Sequence, residues 1–190
     1  MQDTIEVRWH GRGGQGVVTA SKILAEAALL SGKCVQAFPE FGPERAGAPV
    51  KSFNRLSTRP INTHLQIAKP DVVVVLDPTL IGMVDICEGL PEKAVLIINT
   101  NKGPSDMKKE LKWAAGRVAT VDATGIAIRE FKRNIPNTPM IGALVKVTGM
   151  LKLEEIMNGF KRQYAGKFSP GIIKANLRAM KAAYDEVKVE

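Results

Sequence analysis

Five consecutive apolar residues, Val72-Val73-Val74-Val75-Leu76, stand between Pro70-Asp71 and Asp77-Pro78. Valine suits an extended chain because its branched side chain packs well on a pleated surface. A strand that is apolar at every position has no face to offer water, so it must be covered on both sides, as a central strand of a parallel sheet is. Two further runs repeat the theme: Ala94 to Ile98, ended by Asn99, and Val118-Ala119-Thr120-Val121, ended by Asp122. Helical segments fill the gaps at Ser105 to Ala115, Ala123 to Arg133 and Met140 to Met150. The last has Thr138 set as N-cap and Pro139 at the first helical position. Strands alternating with helices predict an α/β domain with a Rossmann-like, doubly wound, mostly parallel sheet.

The start of the chain is read the same way. Ile5, Val7 and Trp9 alternate with Glu6 and Arg8, the period of a strand with one wetter face, and Val17 to Leu30 reads as a helix. Ile23, Ala27 and Leu30 fall on one stripe of that helix, which Gly32 can end from the C′ position. A second strand covers Lys33 to Phe38, and Val50 to Leu56 reads as a strand added at the sheet edge. After Leu153 the pattern is helical only. Ser169-Pro170 opens a final helix whose stripe Ile173, Leu177, Met180, Tyr184 and Val187 is expected to bury against the sheet. The whole is one domain over residues 1–190, with residues 151–190 a helical extension packed on it.

Gly11-Arg12-Gly13-Gly14-Gln15-Gly16 lies between the first strand and the first helix. Glycine lets backbone approach a bound anion because no Cβ intervenes and positive φ is tolerated. The helix behind it aims free N–H groups and the positive end of its dipole into the turn. The alternative is that these glycines serve only close strand-to-helix packing. The pattern satisfies G-x-G-x-x-G, but the acid that reads a dinucleotide ribose at the second strand tip is missing, with Glu40 the nearest candidate. A phosphate-bearing ligand other than a nicotinamide dinucleotide fits better; a free-standing oxidoreductase using NAD(P) or flavin is the alternative.

The loop Ala37 to Val50 carries three prolines and two glycines and follows the second strand, whose end should lie beside the glycine turn. Arg45 is then placed either to grip an anion there bidentately or to form an ion pair with Glu44 at a subunit contact. Phe38 and Phe41 among those prolines suggest a partner site. His10 either meets a ligand or is a satisfied structural histidine. Asp77 and Asp122 end strands where α/β folds gather ligand groups, yet each can be explained by a local turn or cap. There is no nucleophile–base pair, metal cluster or carboxylate dyad, so no catalytic or metal-ligating residue is assigned.

Composition narrows the class. The net charge of +8 is spread through helices where acids are interspersed, and aromatic residues make up only 5% of the chain, which argues against nucleic acid. No 18-residue apolar run exists to span a membrane. Cys34 and Cys87 lack C-x-x-C spacing and are expected to be buried and reduced in a cytoplasmic protein, unable to hold an iron–sulfur cluster.

Four motifs in order carry a resemblance: W-H-G-R-G-G-Q-G-V-V-T-A-S-K from Trp9, A-F-P-E-F-G-P-E-R-A-G-A-P-V-K-S-F from Ala37, D-V-V-V-V-L-D-P from Asp71 and N-T-P-M-I-G-A-L from Asn137. Together they resemble the γ subunits of pyruvate:ferredoxin oxidoreductase and of its relatives acting on other 2-oxoacids. The resemblance implies a non-catalytic subunit working with α, β and δ subunits. The complex would turn a 2-oxoacid and coenzyme A into acyl-CoA, carbon dioxide and reduced ferredoxin. It places thiamine diphosphate, magnesium and the [4Fe-4S] clusters in the partner subunits. It implies coenzyme A binding through Gly11, Arg12, Gly13, Gly14, Gln15 and Gly16, with Lys22 following, and through a basic loop that includes Arg45 and Gly47. A single Arg45 is sparser than the basic loop of the single-chain relatives.

Overall fold

The computed structural model describes residues 3–40 and 47–190. In chain order the elements are β1 (Thr4–Arg12), α1 (Val17–Leu30), β2 (Cys34–Pro39), β3 (Pro49–Ser57), β4 (Val72–Val75), β5 (Val95–Asn99), α2 (Pro104–Leu111), β6 (Arg117–Val121), α3 (Ala123–Phe131), α4 (Asn137–Thr148), α5 (Leu153–Tyr164), α6 (Pro170–Glu186) and β7 (Lys188–Val189). All strands join one sheet in the order β2-β3-β1-β4-β5-β6-β7. β1, β4, β5 and β6 form a continuous parallel ladder, while β3 and β7 run antiparallel to their neighbours. This is the expected α/β architecture, a mostly parallel sheet with helices on its faces.

The valine run is buried at all four positions of β4 and serves two cores. Val72 and Val74 point with Val7, Trp9, Ile97 and Ala119 toward α1, α4 and the last two helices. Val73 and Val75 point with Leu96, Ile98 and Val118 toward Met107 of α2 and Ile86. Each such side chain withdrawn from water contributes roughly 1.5–3 kcal/mol, which is why the chain cannot present either face of β4 to solvent.

Several expectations need correcting. The segment around Val50 to Leu56 is not an edge strand: β3 lies inside the sheet, paired with β2 on one side and along nine residues with β1 on the other. Its burial is masked in the sequence because its inner residues are polar and satisfied. Asn54 accepts from the Trp9 indole at 2.8 Å and donates to the Ser21 carbonyl at 3.0 Å; Arg55 pairs with Glu6 at 2.6 Å. The wetter face read into β1 is likewise covered, with Arg8 and His10 both buried. On α1, Ile23 and Ala27 are buried but Leu30 is half exposed. Gly32 adopts positive φ after the Ser31 cap, as read from sequence. The two cysteines are half-buried rather than buried.

The tail is not purely helical, since β7 closes the sheet beyond β6. The apolar stripe of α6 meets helices rather than the sheet: Leu177 and Met180 join the core shared with α3 and α4. Gly142 of α4 permits this crossing, because a Cβ there would run into the Met180 carbonyl. α4 itself begins two residues earlier than expected. Pro136 takes the cap position, and Thr138, inside the first turn, donates its hydroxyl to Asn176 at 2.9 Å.

Candidate functional site

From β1 the chain proceeds to β2 and β3 on one side and, after them, to β4 and the remaining parallel strands on the other. The carboxyl ends of β1 and β4 therefore flank a topological switch point, the position where open α/β sheets hold ligands. Gly13 to Gly16 leave β1 at this point and Asp77 leaves β4.

The glycines divide by purpose. Gly11 is a packing glycine, for a Cβ there would come 2.5 Å from Val17 Cγ2 and 3.2 Å from Leu76 Cβ. Gly16 is needed twice over: its φ is 80°, and a Cβ would come 2.5 Å from the Asn137 amide nitrogen. Gly14, also at positive φ, has open space where a side chain would stand. Close packing thus accounts for Gly11 and Gly16, while Gly14 leaves its space open.

Gly16 caps α1 without a side-chain hydrogen bond, and the first turn has no acidic residue. The same is true of α4, whose Asn137 packs on Gly16 and accepts the Thr138 N–H at 2.8 Å. The first N–H groups of α1 are thus unclaimed by side chains, whereas at α4 Asn137 takes the Thr138 N–H and Pro139 has none; where the two starts meet, their dipoles add a positive potential.

The side chains around the turn form a closed set. Gln15 accepts the Arg12 N–H at 2.8 Å and donates to Asp77 Oδ2 at 2.6 Å. Asp77 also accepts from the Thr79 N–H at 2.9 Å and the Thr79 hydroxyl at 2.7 Å. Arg12 donates to Thr79 Oγ1 through Nε and Nη2, at 3.1 and 2.9 Å, and lies 3.3 Å from Asp77. Burial alone would raise the Asp77 pKa, but its bonds from Thr79 and Gln15 and the Arg12 charge outweigh it, so the carboxyl titrates below its ordinary range. Asp77 is thus both a local turn residue and the anchor of the glycine turn.

The return limb of the loop before β3 lies against this turn. Gly13 donates to the Ala48 carbonyl at 2.9 Å, and Gly47 donates to the Gly13 carbonyl at 3.2 Å. The Gly47 carbonyl accepts from Arg12 Nη1 at 3.0 Å. Lys22 is exposed in the second turn of α1. Arg45 lies outside the described residues, as do Phe41 and Glu44. Asp122 works locally, accepting the Gly125 N–H at 2.8 Å as the cap of α3. His10 faces away from the turn, toward Val75 on the other side of the sheet, and burial with the charges of Arg8 and Lys51 lowers its pKa to about 3. His64 is exposed. Among the described residues no cluster of His, Cys, Asp or Glu could hold a metal, and no helix is long and apolar enough to cross a membrane.

Sequence reasoning passed over Asn137 and Thr79. The run Asn137-Thr138-Pro139 reads as a helix cap, and only the packing on Gly16 shows that this helix start shares the site.

The model of one protein family, pyruvate ferredoxin/flavodoxin oxidoreductase, matches residues 6–186. The chain belongs to that family. Among its members, the pyruvate synthase subunit PorC of Thermotoga maritima is 50% identical over 183 residues, covering 96% of this chain and 94% of the relative. The common gamma subunit of the pyruvate and ketoisovalerate oxidoreductases of Pyrococcus furiosus is 48% identical over 185 residues, covering 97% and 98%. The crystal structure of pyruvate oxidoreductase subunit PORC from Thermotoga maritima superimposes with a TM-score of 0.87 at 46% identity, covering 100% of this chain and 99% of that one. Within this oxidoreductase family the chain is a gamma-type subunit of a 2-oxoacid:ferredoxin oxidoreductase.

Proposed function

We propose that this chain is the gamma subunit of a pyruvate:ferredoxin oxidoreductase and that it helps to hold coenzyme A while scaffolding the α, β and δ subunits. Thiamine diphosphate, magnesium and the [4Fe-4S] clusters belong to those partners, which perform the decarboxylation and pass electrons to ferredoxin. The chain alone is inactive, acts as a single domain in the cytoplasm, and contributes no catalytic residue.

The observation that carries the ligand reading is the meeting of α1 and α4 at Gly16 and Asn137, two helix starts with no side-chain cap and no acid in either first turn. Oxygens of a phosphate are the natural acceptors for the N–H groups that open α1. The turn from Gly13 to Gly16 supplies the close approach, and Arg12, Lys22 and Arg45 supply positive charge, with Gly47 placing the second loop. A nicotinamide dinucleotide suits the arrangement less. β3 separates β2 from β1, so an acid at the tip of β2 stands a further strand spacing, about 4.8 Å, from where a ribose beside the turn would need it. Glu40 at that tip is paired with Lys51 at 3.4 Å.

The assembled complex provides the test. A charge-assisted contact contributes about 1.5–3 kcal/mol, so Arg45→Ala should raise the KM for coenzyme A roughly 10- to 100-fold. Decarboxylation without coenzyme A should be spared. Equal damage to both half-reactions would mean that Arg45 holds the assembly together, and the ligand site would be withdrawn.

A further inference from the structure

On the sheet face opposite α1, a cleft of about 540 Å3 opens over β1, β2 and β3, with Arg8, Phe38, Phe53, Lys51 and Gln66 among its walls. The register explains why these residues meet. Arg8 stands opposite Phe53 across the β1–β3 ladder, and Phe53 stands opposite Phe38 across the β3–β2 ladder. The two rings are stacked, with centroids 5.4 Å apart and planes 23° apart.

Arg8 is the anomaly of this face. It is 3% exposed, its Nη2 donates to the carbonyls of Ile86 and Glu88 at 3.0 and 2.7 Å, and its Nε has no partner. Arg55 is just as buried at 4% but is neutralised by Glu6 at 2.6 Å. The carboxylates of Glu88, Asp85 and Glu40 act on this guanidinium through space, but among the described residues none forms an ion pair with it, and a buried charge ordinarily has one. Two residues along β1, on the same face, the Nε2 of His10 is also buried and unpartnered. That His10 is neutral, under the charges of Arg8 and Lys51 as well as burial, agrees with a positive local field.

We infer that this cleft is a second ligand site, distinct from the glycine turn, which takes a flat apolar acid: an aromatic or heteroaromatic ring carrying a carboxylate or phosphate. The ring lies against Phe38 and Phe53, and the anion meets the Arg8 guanidinium where it lines the cleft and Lys51 adds its charge at the rim. The volume lies within the range of ordinary small-molecule sites. Glu40, which holds Lys51 at 3.4 Å, makes the rim selective for a single anionic group over a larger polyanion.

The inference is independent of coenzyme A binding and is tested by titrating 2-naphthoate, with 2-naphthylmethanol as its neutral counterpart, into the full chain by calorimetry and by amide chemical shifts. The acid should bind roughly 10- to 100-fold more tightly than the alcohol, shifting the amides of Phe38, Phe53 and Ala68 and leaving those of Gly14 to Val17 in place. Arg8→Met should level the two affinities. Phe38→Ala, at a half-buried position on the edge strand, should weaken both and serves if the Arg8 variant does not fold. Equal binding of acid and alcohol to the native chain, shifts at the glycine turn instead, or affinities untouched by both substitutions would overturn the site. So would loss of naphthoate binding in the assembled complex, which would give the cleft to a partner subunit.

Discussion

The Gln15 side chain joins Asp77 at 2.6 Å while its own carbonyl oxygen takes the Arg12 N–H at 2.8 Å. One carboxamide therefore ties the end of β1 to the end of β4 across the switch point. Asp77→Asn breaks the charge-assisted part of this set, and the variant should lose about 1.5–3 kcal/mol of stability at neutral pH, measured by urea denaturation. The Asp77 carboxyl is depressed in the folded protein, so its contribution is present above the unfolded value near pH 4 and is lost as pH falls through the lower folded value. The gap between the native and Asn proteins should accordingly close on acidification; a gap constant down to pH 2 would show that Asp77 acts by shape alone.

His10 produces a second pH dependence, in a different window. Its folded pKa is lowered to about 3, so the folded protein keeps the ring neutral while the unfolded chain protonates below pH 6.5. Stability should therefore rise with pH between these values, at up to about 1.4 kcal/mol per pH unit, and amount to roughly 2 kcal/mol between pH 5 and 6.5. His10→Gln removes that slope if the reading is right. Denaturation curves at the two pH values, compared between native and variant chains, measure it directly.

Gly16→Ala forces a Cβ into a left-handed conformation and against Asn137. The two effects together should cost about 2–4 kcal/mol. Asn137→Ala should recover part of that loss, and a double-mutant cycle should give a coupling of about 0.5–3 kcal/mol. Strict additivity would mean that the penalty is backbone strain without contact between the two helix starts.

Gly142→Ala probes the crossing of α4 and α6, where a new methyl group would meet the Met180 carbonyl. Overpacking of this kind costs about 1–3 kcal/mol. The melting temperature should fall with little change in the amide shifts of Gly13 to Gly16. Unaltered stability would show that α6 can shift away freely.

Where sequence and structure agree, the signal was apolar pattern or glycine placement. The β4 valines, the limits of α1 and the Ser169 cap of α6 could be read because each depends on neighbours a few residues away. Legibility failed where burial rests on polar groups satisfied from far along the chain. Asn54 and Arg55 look like surface residues until Trp9 and Glu6 are seen opposite them. Arg8 and His10 give no hint of burial because the segment that covers Arg8, around Ile86 to Glu88, lies some eighty residues away. The glycine turn was legible as the link from strand to helix, whereas the place of Asn137 beside it was not, since that rests on a contact between two helices distant in sequence.

The placement of β3 has a consequence for how such subunits can diversify. Because β2 and β3 are antiparallel neighbours, the stretch between Pro39 and Pro49 joins the ends of two adjacent strands. Residues can be added to or removed from it while the nine-residue pairing of β3 with β1 holds the register. The segment that returns beside Gly13 is thus a replaceable cassette, and chains of this build could exchange what they present there without rebuilding the body that carries it.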